Sequence, residues 1–367
     1  MGALLAASPC TAEDYYSKRT LFDYSTGYLE SYVGRDWYRG TGVIARDPRL
    51  IYSCGHLFYE NGRWATDYEF YQAYHSFRSP DPANGASPRG FRYFSNYSDN
   101  VDLYGGNSSR SFAYDFTVFY GSDSFGPAIG TWTDGSAVLR SNRKKRIVGY
   151  PATVEYTGAS GYSYQYATDA FARASYQIRE AYHGFDDVST GEGNSGGPIF
   201  VYDESDTDYY LAGVLVSGSA RTAGVYALND SSNSMASAAL GLRSVSRTFR
   251  NDQALLLPDA GTSYSTRATT ASGFSNTLSG LRFSMSLTTP RRGDLNIYLK
   301  SPGGRIRWIN KASSSTSDNV VIKQADYSTT FRGYAANGEW QLRMRDTVAR
   351  NRATFNQFSI TLMADEE

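Results

Sequence analysis

Ser195 sits in the hexapeptide Gly193-Asn194-Ser195-Gly196-Gly197-Pro198. Glycines on both sides allow a sharp turn and a close approach of backbone to a ligand. The amides of Gly193 and Ser195 can then aim at one oxygen, which is what acyl transfer requires of an oxyanion hole. A serine nucleophile also needs a base and a group that orients the base. The chain holds three histidines, His56, His75 and His183. His56 follows the apolar run Leu50-Ile51-Tyr52-Ser53 and the small residues Cys54 and Gly55, so its ring is expected at a strand end. Asp115 opens Asp115-Phe116-Thr117-Val118-Phe119, at the mouth of another strand. A carboxylate there can accept the His56 Nδ1 proton and leave Nε2 free to take the proton of Ser195. Asp102 is the competing acid, but Val101-Asp102-Leu103-Tyr104 runs into Gly105-Gly106 with no strand behind it.

Short strands must position these groups. Gly42–Ala45 and Leu50–Ser53 flank an Arg46-Asp47-Pro48-Arg49 turn, and Phe116–Phe119, Ile147-Val148 and Ile199–Val201 are further strands. Leu211–Val216 is nearly all apolar, as a strand buried on both faces should be. Residues 78–106, rich in Pro, Gly, Asn and Ser, read as long surface loops, and Met235, Ala238, Ala239, Leu242, Val245 and Phe249 are spaced for one helix over 234–250.

The 367 residues are more than one core usually serves. Four parts are expected: an N-terminal segment 1–19, a first domain 20–255, a linker 256–264 and a second domain 265–367. Lys+Arg and Asp+Glu both total 36, which gives no electrostatic case for nucleic acid or an anionic membrane. No apolar run approaches the roughly 20 residues of a spanning helix. The 35 glycines, 31 tyrosines and many alternating segments predict an all-β protein with tyrosines on half-buried sheet surfaces. Beyond the linker, Leu281, Phe283, Met285 and Leu287 alternate with polar residues. So do Leu295, Ile297 and Leu299; Trp340, Leu342 and Met344; and Phe358, Ile360 and Leu362. One dry and one wet face per strand is the pattern of an antiparallel sandwich.

Residues 20–250 resemble the trypsin-like serine peptidases of bacterial type. The likeness lies in Gly40-Thr41-Gly42-Val43-Ile44, Ser53-Cys54-Gly55-His56, Tyr114-Asp115-Phe116-Thr117-Val118, the Ser195 hexapeptide, Leu211–Gly218 and Gly224-Val225-Tyr226. The resemblance implies a double β-barrel with His56 as base, Asp115 as orienter and Ser195 as nucleophile. It implies a substrate pocket walled by Ser189, Thr190, Val216, Ser217, Gly218 and Gly224. Asn194 replaces the aspartate that many animal members pair with a new N-terminus after zymogen cleavage, so that ion pair is not expected here. Arg143-Lys144-Lys145-Arg146-Ile147-Val148-Gly149 looks like an activation site, but it lies between Asp115 and Ser195 and reads as a basic turn into a strand. Ser189 at the pocket base is not acidic, so a Lys or Arg preference is not expected. Val214-Leu215-Val216-Ser217 lacks the histidine of glutamate-specific relatives. With Gly218 and Gly224 leaving the pocket open, an apolar or aromatic residue before the scissile bond is expected.

Residues 265–364 resemble the P domain (homo B domain) of proprotein convertases. The likeness is carried by Gly293-Asp294-Leu295, Ser301-Pro302-Gly303-Gly304 and Asn337-Gly338-Glu339-Trp340. That module implies a jelly-roll-like sandwich that stabilises the protease, holds substrate or attaches to a surface. Some P domains bind calcium; Asp294, Asp318, Asp326 and Asp346 are the available oxygen donors, without a dedicated calcium-loop spacing. The reaction itself requires no cofactor and no metal.

The first twelve residues look like the tail of a signal peptide without its basic leader, which points to a secreted or periplasmic protein. Cys10 and Cys54 either pair there or remain apart. The expected partner is a protein or peptide substrate, met by a monomer. Two rival readings are an inactive peptidase-fold binding protein and a stress-type protease-chaperone.

Overall fold

A computed structural model describes residues 12–14, 24–34, 36–65, 67–73, 85–86, 88–152, 165–219, 221–274 and 277–366. They fall into two compact units, one ending at Gly241 and one starting at Leu242. Cys10, His75 and the first residues of the chain lie outside the described residues.

The first unit is built mainly from two large antiparallel sheets, with a two-stranded pair of Tyr59–Glu60 and Arg63–Trp64 beside them. The seven-stranded one runs Gly85–Ala86, Asp67–Gln72, Thr26–Val33, Asp36–Ile44, Leu50–Ser53, Thr117–Tyr120, Gly90–Tyr93. The eight-stranded one runs Ala12–Asp14, Tyr166–Thr168, Lys145–Gly149, Pro198–Asp203, Asp208–Gly218, Thr222–Ala227, Tyr182–Asp186, Tyr176–Arg179. Every strand foreseen in this region is present. The first sheet covers a core that includes Val43, Ile51, Phe58, Phe70, Val118 and Phe119, each fully buried. The Phe58 and Phe119 rings meet edge to face at 4.6 Å. The second sheet buries Ile147, Ile199, Val201, Leu215 and Val225. The tyrosines are less uniform than composition suggests. Tyr52, Tyr68, Tyr97, Tyr150 and Tyr226 are core residues, not half-wet sheet surface.

The second unit is a sandwich of two antiparallel sheets. One contains Arg243–Asn251, Thr354–Glu366, Leu278–Thr288 and Val320–Asp326, with Leu255–Leu256 added to the second of these strands. The other runs Ser265–Ala271, Gly338–Asp346, Leu295–Lys300, Ile306–Asn310. All the alternating residues foreseen as its core are buried in one cluster. Trp340 sits at its centre, its indole N–H donating to the Ala336 carbonyl at 3.1 Å.

Three expectations change. The helix over 234–250 covers only Asp230–Gly241, and Arg243–Asn251 is a strand paired residue for residue with Asn251 opposite Phe358 and Arg243 opposite Glu366. Val245 and Phe249 are four apart, which puts them on one face of a strand as well as of a helix. The second unit therefore begins before the Pro-Gly-Ser stretch that reads as a linker. Finally, the supposed loops of 78–106 hold the strand Gly90–Tyr93 and the helix Ser95–Tyr104, which flank the site described next.

Candidate active site

Strand register brings Asp115 to His56. Thr117–Tyr120 pairs antiparallel with Leu50–Ser53, Thr117 opposite Ser53. Two residues beyond that pair, Asp115 faces Gly55. Asp115 is fully buried. Its Oδ1 accepts from the amides of Gly55 at 2.6 Å and His56 at 2.8 Å. Its Oδ2 lies 2.7 Å from His56 Nδ1. These bonds satisfy a carboxylate that has no access to water, and they place the ring proton on Nδ1. Nε2 then carries the lone pair. Burial works to lower the His56 pKa. Neighbouring Cys54 and the Asp115 carboxylate outweigh it and hold the imidazole well above its ordinary 6.5.

Tyr97, from the helix Ser95–Tyr104, closes the back of this pair. It is 1% exposed, and a Cβ on Gly55 would lie 3.3 Å from its ring and 3.2 Å from Asp115 Oδ1. Nothing in the sequence pointed to Tyr97, because its segment reads as loop. Asp102 takes no part. It is exposed on the same helix and accepts from the Tyr59 hydroxyl at 2.9 Å.

The serine loop is pinned from both sides. The Thr41 amide donates to the Ser195 carbonyl at 2.8 Å. The Thr41 hydroxyl donates to the Gly193 carbonyl and accepts from the Tyr150 amide, both at 3.0 Å. Gly196 N–H donates to the Leu215 carbonyl at 2.7 Å, and Leu215 returns a bond to the Gly197 carbonyl at 2.8 Å. Gly193 and Gly196 have φ of 88° and 79°, the left-handed region where a side chain is strained. A Cβ on Gly196 would also lie 3.1 Å from the Cys54 nitrogen. The loop thus rests on the strand end that carries His56. Among the described residues, the amides of Gly193 and Ser195 have no hydrogen-bond acceptor. Asn194 is buried and packs on Gly149, the end of the strand Lys145–Gly149. Lys145 in that strand is fully buried, with Nζ donating to the Ser141 and Arg143 carbonyls, and burial pulls its pKa down to about 8.

His56 Nε2 faces Cys54 Sγ at 3.6 Å. No hydrogen bond joins it to Ser195 Oγ among the described residues. Such bonds are often long in free enzymes and tighten with substrate. Cys54 is fully buried, and burial pushes its thiol pKa up. His183 is a different kind of histidine. It is fully buried between the Ser136 and Ser175 hydroxyls, at 3.0 and 3.1 Å, and burial pulls its pKa down to about 4.

Around the residues expected to wall the pocket, Val216 and Thr190 are buried, and Ser189 and Ser217 are partly exposed. Each of the two glycines makes room for a neighbouring hydroxyl side chain. A Cβ on Gly218 would fall on the Thr190 side chain. One on Gly224 would fall on Ser217 Oγ and lie 2.7 Å from the Tyr182 hydroxyl. Ser217 and Tyr182 share a hydrogen bond of 2.8 Å. Hydroxyls fill the room that the missing side chains make.

In the second unit the four aspartates do not converge. Asp318 and Asp326 are exposed, whereas Asp294 and Asp346 are buried. Asp294 accepts from the Asn351 amide at 2.9 Å. Asp346 Oδ2 is buried with no hydrogen-bond partner among the described residues. Burial, reinforced by the charges of Asp259 and Asp294, raises the Asp346 pKa.

The chain is 28% identical over 116 residues to leupeptin-inactivating enzyme 1 of Streptomyces exfoliatus, covering 31% of this chain and 26% of that protein. It is 30% identical over 114 residues to the transglutaminase-activating metalloprotease of Streptomyces mobaraensis, covering 31% of this chain and 14% of that one. The chain thus spans about a quarter or less of these relatives. Among solved structures it is similar to the protease Anisep of Arthrobacter nicotinovorans, with TM-score 0.46 and 17% identity over 59% of this chain and 95% of that one. It is also similar to a Glu endopeptidase, with TM-score 0.44 and 15% identity over 65% and 99%. Residues 278–362 match the family model of the proprotein convertase P-domain. The sandwich unit of this chain is a P domain.

Proposed function

We propose that the first unit is a serine endopeptidase. The observation that carries this reading is the buried Asp115–His56 pair at the strand end on which the Ser195 loop rests. Ser195 Oγ attacks the peptide carbonyl while His56 Nε2 takes its proton. The Gly193 and Ser195 amides hold the oxyanion. His56 then protonates the leaving amine, and water hydrolyses the acyl-enzyme by the same route. Asp115 keeps the proton on Nδ1 and stabilises the imidazolium. No cofactor enters these steps.

The likeness to a Streptomyces protease fits a peptidase in general, and the serine type is read from the site. The substrate is a protein or peptide, and the enzyme acts as a monomer outside the cytoplasm, with the P domain stabilising it or holding substrate. Any calcium in the P domain would be held by Asp346 and Asp294, where a buried carboxylate oxygen has no hydrogen-bond partner among the described residues. Proteolysis of a denatured protein by the purified chain, abolished in Ser195→Ala, tests the assignment. Equal activity in Ser195→Ala refutes it.

A further inference from the structure

Cys54 has no role in the mechanism above, yet its sulfur is the atom that His56 Nε2 faces. The two atoms are 3.6 Å apart. A tetrahedral zinc ion bonds sulfur at about 2.3 Å and imidazole nitrogen at about 2.0–2.1 Å, which separates the two donors by about 3.5–3.6 Å. Asp115 on Nδ1 completes the arrangement. A metal-bound histidine usually gives its other N–H to a carboxylate, which fixes the tautomer and the ring orientation. Cys54, His56 and Asp115 form a group of donors that all lie within 4.8 Å of one another, beside a ring that is 27% exposed and open to solvent.

We propose that Cys54 Sγ and His56 Nε2 bind a thiophilic divalent cation, with zinc as the physiological candidate, and that this cation is a reversible inhibitor. Binding forms a metal–sulfur and a metal–nitrogen bond, and the thiol proton leaves to solvent together with the Nε2 proton of any charged imidazole. Water completes the coordination. The ion sits on the lone pair that must take the Ser195 proton, so the base is blocked while it is bound. Only the inhibitory consequence rests on the peptidase reading; the metal site stands on the Cys54–His56 geometry alone.

Two measurements separate these parts. Cobalt(II) titration of the full-length Ser195→Ala protein reads the site without activity. A thiolate-to-cobalt charge-transfer absorption saturating at one equivalent is expected, lost when Cys54→Ala or His56→Ala is added. Absence of that absorption in the parent, or its persistence in both variants, overturns the proposal. In the active protein, zinc should inhibit and a chelator restore full activity. Cys54→Ala, judged against its own zinc-free rate, should need at least tenfold more zinc. Identical zinc curves for the two proteins would overturn the inhibitory role. A cobalt signal in a chain that cleaves nothing would keep the metal site and discard the peptidase.

Discussion

Asp115 faces Gly55 across two antiparallel strand ends, and the Gly55 amide donates to Asp115 Oδ1 at 2.6 Å. The same carboxylate thereby fixes the backbone that presents His56 and the ring of His56 itself. Asp115→Asn retains an acceptor for the amides but no longer favours the Nδ1–H tautomer. By the behaviour of such triads, kcat should fall by about 10⁴. Steady-state hydrolysis of a peptide substrate measures this. A loss below about tenfold would remove Asp115 from the triad.

His56 must be neutral to accept a proton. Burial works against its charged form, but Cys54 and Asp115 prevail and raise its pKa above the ordinary 6.5. Activity should therefore fall as pH drops through that raised value, with the acidic limb of kcat/KM centred above 6.5. In residual activity of Asp115→Asn the limb should move to lower pH, because the stabilising carboxylate is gone. A limb at or below 6 in the wild type contradicts this electrostatic picture.

Gly55 is confined between Asp115 and the buried ring of Tyr97. Both neighbours are held in the core, so the contact cannot relax freely. Gly55→Ala is expected to destabilise the first unit by about 1–3 kcal/mol and to lower kcat more than tenfold. Denaturant unfolding and kinetics together check it. Unchanged activity would mean that the pair tolerates displacement.

His183 gives a separate pH effect, on stability. Its folded pKa is about 4 because burial, aided by Arg140, disfavours the cation against the weaker pull of Asp134. The unfolded value is 6.5. Between these values the unfolded chain binds the extra proton, so stability rises with pH across that window and is flat above it. The contribution is on the order of 3 kcal/mol over the full window. Urea unfolding from pH 4 to 7 should show this slope in the wild type and a shallower one in His183→Gln.

The Asp115–His56 pair, the glycine turn at Ser195 and the P-domain core were legible in the sequence because each follows from short-range rules. The glycines around Ser195 mark a turn only they can make, and strict alternation at Leu281–Leu287 or Trp340–Met344 has one structural solution. The strand Arg243–Asn251 was not legible, since Val245 and Phe249 satisfy both periods and the partner strand lies more than a hundred residues away. Tyr97 and the contact of Cys54 with His56 were missed for a related reason. Tyr97 reaches Asp115 from a helix hidden in a polar segment, and Cys54 meets Nε2 through the bend of its own strand end. The hydroxyls beside Gly218 and Gly224 could not be foreseen, because glycine shows only that a side chain is missing, not what occupies its place.

Trp340 lies wholly buried between the P-domain sheets and stacks edge-on with Phe331 at 5.2 Å. Trp340→Ala should cost about 3–5 kcal/mol, beyond what a marginal domain withstands comfortably. Loss or early onset of one unfolding transition in calorimetry is the expected signature. An unaltered thermogram would contradict the assigned core.

The central claim is that Ser195 is an activated nucleophile. Mass spectrometry of the purified protein after reaction with a fluorophosphonate tests it directly. The account predicts one covalent adduct, mapped to Ser195, absent in Ser195→Ala and much slower to form in Asp115→Asn. A folded wild-type protein that takes no adduct, or takes it elsewhere, would contradict the account and leave the P domain as the working part of the chain.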